Sequence, residues 1–478
     1  MVSLSEHWSC QWVRALPDAS GGVRGKANRL CSMAQNVHSA LSFPLTCWNL
    51  PDMAFESLRE RRLYFAALCA VLVVGAFLRL PSPIFTGTDA PISGLEALHP
   101  AAKFAVIGFD EGLYRGYVNG LIDGGLTSYP AIVDHYIEVQ EKLTGSILPP
   151  VRFLYIFAAY LWHQIFGSEA LAALRGVASF FSILTLLLST FFAWRLRGHA
   201  WALGVAALMS FAPTQIHMSQ HALVDGFFTF WALLCLWLLW ENLRHPAHGL
   251  RLIAYTLGLC CLVLTKENSF FVFIGLLAIL ALNRWFAFGV VTRPLLLCTV
   301  AGPLLGFVVL VFLAGGLETL FTTYQLSVSK NYQLAYAILT GDGPWHRYLV
   351  DLLLVSPVIL LLALGAAFRL DRSQKAELFL FVFIATSYLV MCNIKYGMNL
   401  RYANMWDMPL RFLAFGQIAV FSNLFSRYRS VILWGAVGLI CAVEMRQYLI
   451  LFVQFPLYEL VPEGLLRALH ILKSVPAR

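Results

Sequence analysis

Val151-Arg-Phe-Leu-Tyr-Ile-Phe-Ala-Ala-Tyr-Leu-Trp-His-Gln-Ile-Phe166 decides how the rest of the chain is laid out. The stretch is apolar enough to look like a membrane span, and counting it as one reverses the side of every later loop. Spans need about 20 apolar residues. Eleven other segments read as spans: 63–81, 170–194, 200–218, 222–242, 251–265, 268–284, 294–313, 349–368, 377–393, 406–424 and 430–447. The basic residues arbitrate. Loops holding Arg195/Arg197, Arg244/Arg251, Arg284/Arg293, Arg369/Arg372/Lys375 and Arg427/Arg429 alternate with loops that are much less basic. If 151–166 does not cross, all five fall on the side of Arg59, Arg61 and Arg62, as the positive-inside bias requires. If it crosses, all five fall outside. The stretch therefore reads as a helix lying in the outer interface, a position that suits its aromatics and Arg152.

Composition demands a layout of this kind. Of 478 residues, 59% are hydrophobic and only 13% charged, with mean hydropathy +0.71. Soluble domains carry about 25% charged residues, so an ordinary soluble enzyme is excluded. Aromatics at 14% exclude a disordered chain. The expected fold is an all-α polytopic membrane bundle of about 11 transmembrane helices. Its sizeable outer pieces are a long first loop, 82–169, and a second, 314–348. The net charge of +8 largely marks inner loops and points to no nucleic-acid partner. Cys69, Cys235, Cys260, Cys261, Cys298, Cys392 and Cys441 sit in or beside apolar runs, and Cys10, Cys31 and Cys47 have no metal spacing. Residues 1–52 are polar and lack the apolar core of a signal peptide. Met53, followed by a basic leader, reads as the natural start, with 1–52 an over-extended reading frame or dispensable tail. The transmembrane domain is expected over 53–448 and a C-terminal tail over 449–478.

Ionisable side chains at membrane depth are costly, so each is a functional candidate. Those that topology does not explain gather on the outer side. Asp110 and Glu111 head an amphipathic stretch of the first loop. Adjacent residues on a helix point about 100° apart, so one acid can face a ligand while the other pairs with a partner. His217, His221 and Asp225 share one face if their corner is helical; a metal pair or a hydrogen-bonded turn both fit the histidines. Lys266 is an outer cation, either salt-bridged to a carboxylate or aimed at an anion. Arg175 lies early in a span, with Glu111 its natural partner, and Arg401-Tyr402 occupy a late outer loop. Carboxylates and cations at one face suit an anionic lipid-linked substrate, because cations hold phosphate and a carboxylate handles a proton.

The pattern resembles the GT-C class of integral-membrane glycosyltransferases, specifically the dolichyl-phosphate-mannose–protein mannosyltransferase and aminoarabinose transferase superfamily. The matching residues run in the family's order over roughly 58–425. They are Asp110-Glu111 with Tyr114, Pro149-Pro150, Phe166-Gly167, Arg175 with Ser179, His221-Ala-Leu-Val-Asp225, Leu264-Thr-Lys266-Glu267, Gly343-Pro344-Trp345 with Tyr348, and Arg401-Tyr402. The resemblance implies inverting transfer of a sugar from a polyprenyl-phosphate donor to a hydroxyl of a glycan, lipid or protein acceptor, amid membrane lipids. It also implies a bacterial inner membrane, with the site facing the periplasm or exterior. Asp110 would be the base, and Glu111 would position the loop through Arg175. Lys266 and Arg401 would hold the phosphate. Asp225 would bind sugar or acceptor or support Asp110, while Tyr114, His221 and Tyr402 would help bind substrate. Where the family usually has His or Glu before the proline pair, this chain has Ile147-Leu148. That removes one metal ligand: no metal site is assigned, no cofactor is called for, and a divalent metal stays open. A transporter or flippase for lipid-linked sugars is the alternative, and a non-catalytic scaffold of the same fold a third reading.

Overall fold

In the computed structural model, the residues described are 58–86, 90–100, 108–246, 248–333, 338, 341–394 and 398–472. The expectations for 1–52 and for Met53 lie outside them. Apolar runs bounded by Gly, Pro and charged residues become helices in the order the sequence suggests. α1 (Leu58–Leu78) precedes a first loop carrying α2 (Phe109–Gly124), α3 (Tyr129–Lys142) and α4 (Phe153–Phe166). Then come α5 (Ala170–Arg197), α6 (His199–Ser210), α7 (Pro213–Gln220), α8 (Val224–Arg244), α9 (Gly249–Val263), α10 (Ser269–Phe286) and α11 (Arg293–Leu313). α12 (Leu317–Asn331) lies in the second large loop. α13 (Arg347–Val355), α14 (Pro357–Ala367), α15 (Lys375–Met391), α16 (Asp407–Asn423), α17 (Arg429–Tyr448) and α18 (Pro462–Ala468) follow. The described residues contain no strand. Six segments are long and apolar enough to cross a membrane: Leu58–Leu78, Ala170–Arg197, Val224–Arg244, Ser269–Phe286, Arg293–Leu313 and Ser426–Gln454. The protein is an integral membrane protein.

Two expected spans are broken by proline. Segment 200–218 divides into α6 and α7 at Pro213, and 349–368 into α13 and α14 at Pro357. Pro213 has no N–H for the Met209 carbonyl four residues back. Arg79 compensates: its Nη2 donates to Met209 O at 2.6 Å and its Nη1 to Ser210 O at 3.1 Å. Deeper in the bundle, Arg411 on α16 pairs with Asp407 at 2.5 Å and Glu444 on α17 at 2.7 Å, and the Ser356 hydroxyl donates to the same Glu444 oxygen. All are buried, so removing one partner would strand a charge in a dry interior. Sequence reading centred on the outer face passed over this group.

The basic loops collect at one end. Arg195 reaches Glu241 in a two-bonded fork (2.8 and 2.9 Å) and Arg197 reaches Glu377 likewise (3.0 and 2.7 Å). Lys375 caps the end of α10 through the Phe286 carbonyl. At the other end, α4 behaves as the charge argument requires. Its 14 residues measure about 21 Å, short of the roughly 30 Å hydrocarbon core. Arg152, just before α4, donates to the Tyr114 hydroxyl (2.5 Å), and Arg175, one turn into α5, lies 3.5 Å from Glu111. Glu111 and Tyr114 are neighbours on α2, so the chain leaves this end at 152 and is back by 175. Had α4 descended through the bilayer, the first residues of α5 could recover only about 8 Å of that depth. α4 instead lies across the end of the bundle.

Candidate active site

The site is built where α2, two helical corners and a late loop meet. α2 opens at Gly108, and Glu111 in its first turn folds back to cap it: Oε2 accepts from Gly108 N at 2.8 Å. Oε1 accepts from Ala222 N at 2.7 Å, with Arg175 Nε at 3.5 Å and His221 Nδ1 at 3.6 Å. Burial alone would raise this carboxyl, but the His221 hydrogen bond and charge, Arg175 and the Ala222 N–H outweigh it and hold the group down at about 2. Asp110 points away, as the helical geometry predicts, and its Oδ2 accepts from Arg401 Nη2 at 2.9 Å. The two acids therefore divide as expected, one tied inward and one facing the cations.

The corner between α7 and α8 departs from expectation. α7 ends at Gln220, His221 is extended (φ −107°, ψ 155°), and α8 starts at Val224. His217, His221 and Asp225 therefore do not share a helical face. His221 faces Glu111, and the His217 ring stacks on Phe452 at 4.2 Å with Nε2 3.2 Å from Tyr458 O. Asp225 turns to the cations instead.

Lys266 comes from the corner between α9 and α10. Its Nζ lies 2.5 Å from Asp225 Oδ1 and 4.0 Å from the Tyr402 ring centre. The same corner anchors α4, since Leu154 N donates to Leu264 O at 2.9 Å and Arg152 pairs with Glu267 at 3.1 Å. Arg401 opens a 3-10 turn, Leu400–Trp406, started by the Asn399 side chain accepting from Arg401 N. Its guanidinium faces three carboxylates: Asp110, Asp225 (Nε, 3.8 Å) and Glu459 (Nη1, 3.4 Å). The acids outweigh the cost of burying Arg401, holding it well above its ordinary value.

All nine candidates from the sequence thus lie in one connected cluster: Asp110, Glu111, Tyr114, Arg175, His221, Asp225, Lys266, Arg401 and Tyr402. Sequence reasoning missed Tyr458 and Glu459. They belong to the stretch read as a tail, and no local pattern linked them to Arg401. The donor set does not suit a metal. Asp110, Asp225 and Glu111 each face a cation or N–H groups, and the described residues hold no group of three or more His, Cys, Asp or Glu arranged around an ion.

Residues 128–334 match the model of the dolichyl-phosphate-mannose-protein mannosyltransferase family. Among solved structures, ArnT from Cupriavidus metallidurans in the apo state superposes with TM-score 0.50 at 15% identity, covering 82% of this chain and 76% of that one. The Archaeoglobus fulgidus oligosaccharyltransferase in the apo form gives TM-score 0.53 at 12% identity over 82% of this chain. The fold is that of the GT-C glycosyltransferases. The chain spans 57% of the archaeal enzyme's length. No curated protein matches it by sequence. Within this GT-C fold, the matched stretch includes α4, Arg175, Asp225 and Lys266, whereas Asp110, Arg401 and Glu459 lie beyond its two ends.

Proposed function

We propose that this protein is a membrane glycosyltransferase that moves a sugar from a polyprenyl-phosphate donor to a hydroxyl of a cell-envelope glycan, lipid or protein, with inversion. In this reading it acts at a bacterial inner membrane, on the periplasmic or exterior face. The observation that carries the reading is the meeting of Asp110 with Arg401, beside the Lys266–Asp225 pair, at the end of the bundle opposite the basic loops. The family matching 128–334 bears the name of a lipid-phosphate sugar donor and a protein acceptor.

The chemistry needs few groups. The acceptor oxygen forms a bond to the anomeric carbon as the bond from that carbon to the phosphate oxygen breaks. The acceptor proton goes to a base, and the leaving phosphate keeps the electron pair. Asp110 is the base, with 15% of its side chain still exposed and its second oxygen free of Arg401. Lys266 and Arg401 neutralise the departing phosphate. Asp225 holds Lys266 in place and meets the sugar or acceptor. Glu111 keeps the head of α2 fixed against the 221–222 corner, so that Asp110 stays aimed. No step requires a metal.

The test is incubation of the purified protein in proteoliposomes with radiolabelled polyprenyl-phosphate sugars. Label passing to a glycan, lipid or protein, and lost in Asp110→Asn, supports the enzyme. Unchanged lipid crossing the bilayer would replace it with the flippase reading.

A further inference from the structure

Past α17 the chain turns back on itself, with Leu457 N donating to Leu451 O at 3.0 Å, and lays Tyr458 and Glu459 against the charged cluster. Glu459 Oε2 accepts a 2.6 Å hydrogen bond from Asn399 Nδ2, while Oε1 sits 3.4 Å from Arg401 Nη1 without a hydrogen bond. Arg401 is 5% exposed, yet its Nε and Nη1 have no hydrogen-bond partner; only Nη2 is used in full, by Asp110. A buried guanidinium with unused N–H groups is matched to a tetrahedral oxyanion. The local balance, however, opposes one. Around Arg401 and Lys266 stand three carboxylates, Asp110, Asp225 and Glu459, so an arriving phosphate meets cations that are already over-neutralised. Asp110 is hydrogen-bonded to Arg401 and Asp225 to Lys266. Glu459 alone has no hydrogen bond to either cation and has an independent anchor in Asn399.

We infer that Glu459 is a built-in stand-in for the donor's phosphate. It is a positioning residue that neutralises and aims Arg401 while the site is free, and it yields Nη1 to the phosphate while remaining on Asn399. This rests on the reading that Arg401 holds phosphate. It also makes an unusual demand: removing a side chain from the site should tighten the ligand, whereas loss of a structural or substrate-binding group would weaken it.

The experiment measures binding of a short-chain polyprenyl phosphate to the purified full chain in detergent, for the wild type, Glu459→Gln, Glu459→Asp and Arg401→Gln. Glu459→Gln keeps an acceptor for Asn399 and is expected to bind about three- to tenfold tighter than the wild type. Glu459→Asp, charged but one methylene shorter, is expected between the two, and it carries the test if Glu459→Gln does not fold. Equal or weaker binding by whichever of these variants folds overturns the proposal. Wild-type binding that Arg401→Gln leaves intact overturns the donor reading itself, and this inference with it.

Discussion

Lys266 Nζ is held between the Asp225 carboxylate, 2.5 Å away, and the face of the Tyr402 ring, 4.0 Å away. Burial pushes the ammonium down to about 8, Arg152 and Arg401 add to the fall, and Asp225 resists it. A lowered value means that Lys266 is charged below about pH 8 and loses its proton as pH rises through it. If it holds the donor phosphate, the donor KM should rise about tenfold between pH 7 and pH 9, the scale of a lost charge-assisted hydrogen bond, with kcat changing less. Lys266→Arg stays charged and should flatten that profile. A donor KM indifferent to pH in the wild type would leave Lys266 a structural partner of Asp225.

Asp110→Asn isolates the base. Asn can still accept from Arg401 through its side-chain oxygen, so the hydrogen bond now measuring 2.9 Å should survive and the melting temperature should barely move. Turnover should fall about 10²- to 10⁴-fold, the usual worth of a general base, with the donor KM close to wild type. Near-normal turnover by the folded variant would remove Asp110 from the chemistry.

The split roles of Asp110 and Glu111, and the pairing of Glu111 with Arg175, were legible because helical geometry is local. The end-to-end sorting of basic loops was legible because the membrane imposes it on the sequence directly. What escaped reading depended on long-range contact. Tyr458 and Glu459 sit in Phe455-Pro-Leu-Tyr-Glu459, where neither periodicity nor spacing hints at Asn399 or Arg401. Asp407, Arg411 and Glu444 are single charges inside apolar runs, and only the packing of α16 on α17 joins them. The supposed shared face of His217, His221 and Asp225 failed because the helix ends at Gln220, so spacing past it no longer measures direction. Pro213 and Pro357 were visible breakers, yet hydropathy averaged over 200–218 and 349–368 concealed the two breaks.

Glu111 should be a stability residue more than a chemical one. Its carboxyl falls from 4.5 to about 2 on folding, and at about 1.4 kcal/mol per pH unit this corresponds to on the order of 3 kcal/mol. Since the folded value is the lower one, the stabilisation is present in full above about pH 4.5 and is lost as pH falls toward 2. Thermal melts in detergent should therefore show the wild type weakening across that acid range. Glu111→Gln should start several degrees lower at pH 7 and change much less on acidification. A variant that melts with the wild type at pH 7 would show that the ties to Gly108, Ala222 and Arg175 do not hold α2 in place.

Gly108 and Tyr458 should be coupled. A methyl group built on Gly108 would overlap the Tyr458 ring, so Gly108→Ala must push that ring, and the segment carrying Glu459, away from the cluster. The ring also lies 5.6 Å from the Arg401 guanidinium, close enough for an attraction of about 0.5–2 kcal/mol. Gly108→Ala alone should thus depress turnover severalfold, and Tyr458→Ala alone should do the same by taking the ring away. In the double variant the added methyl has nothing left to displace, so its cost should largely disappear. Steady-state kinetics on the four proteins give the coupling directly. Losses that simply multiply would mean that Gly108 acts on the start of α2 and not through Tyr458.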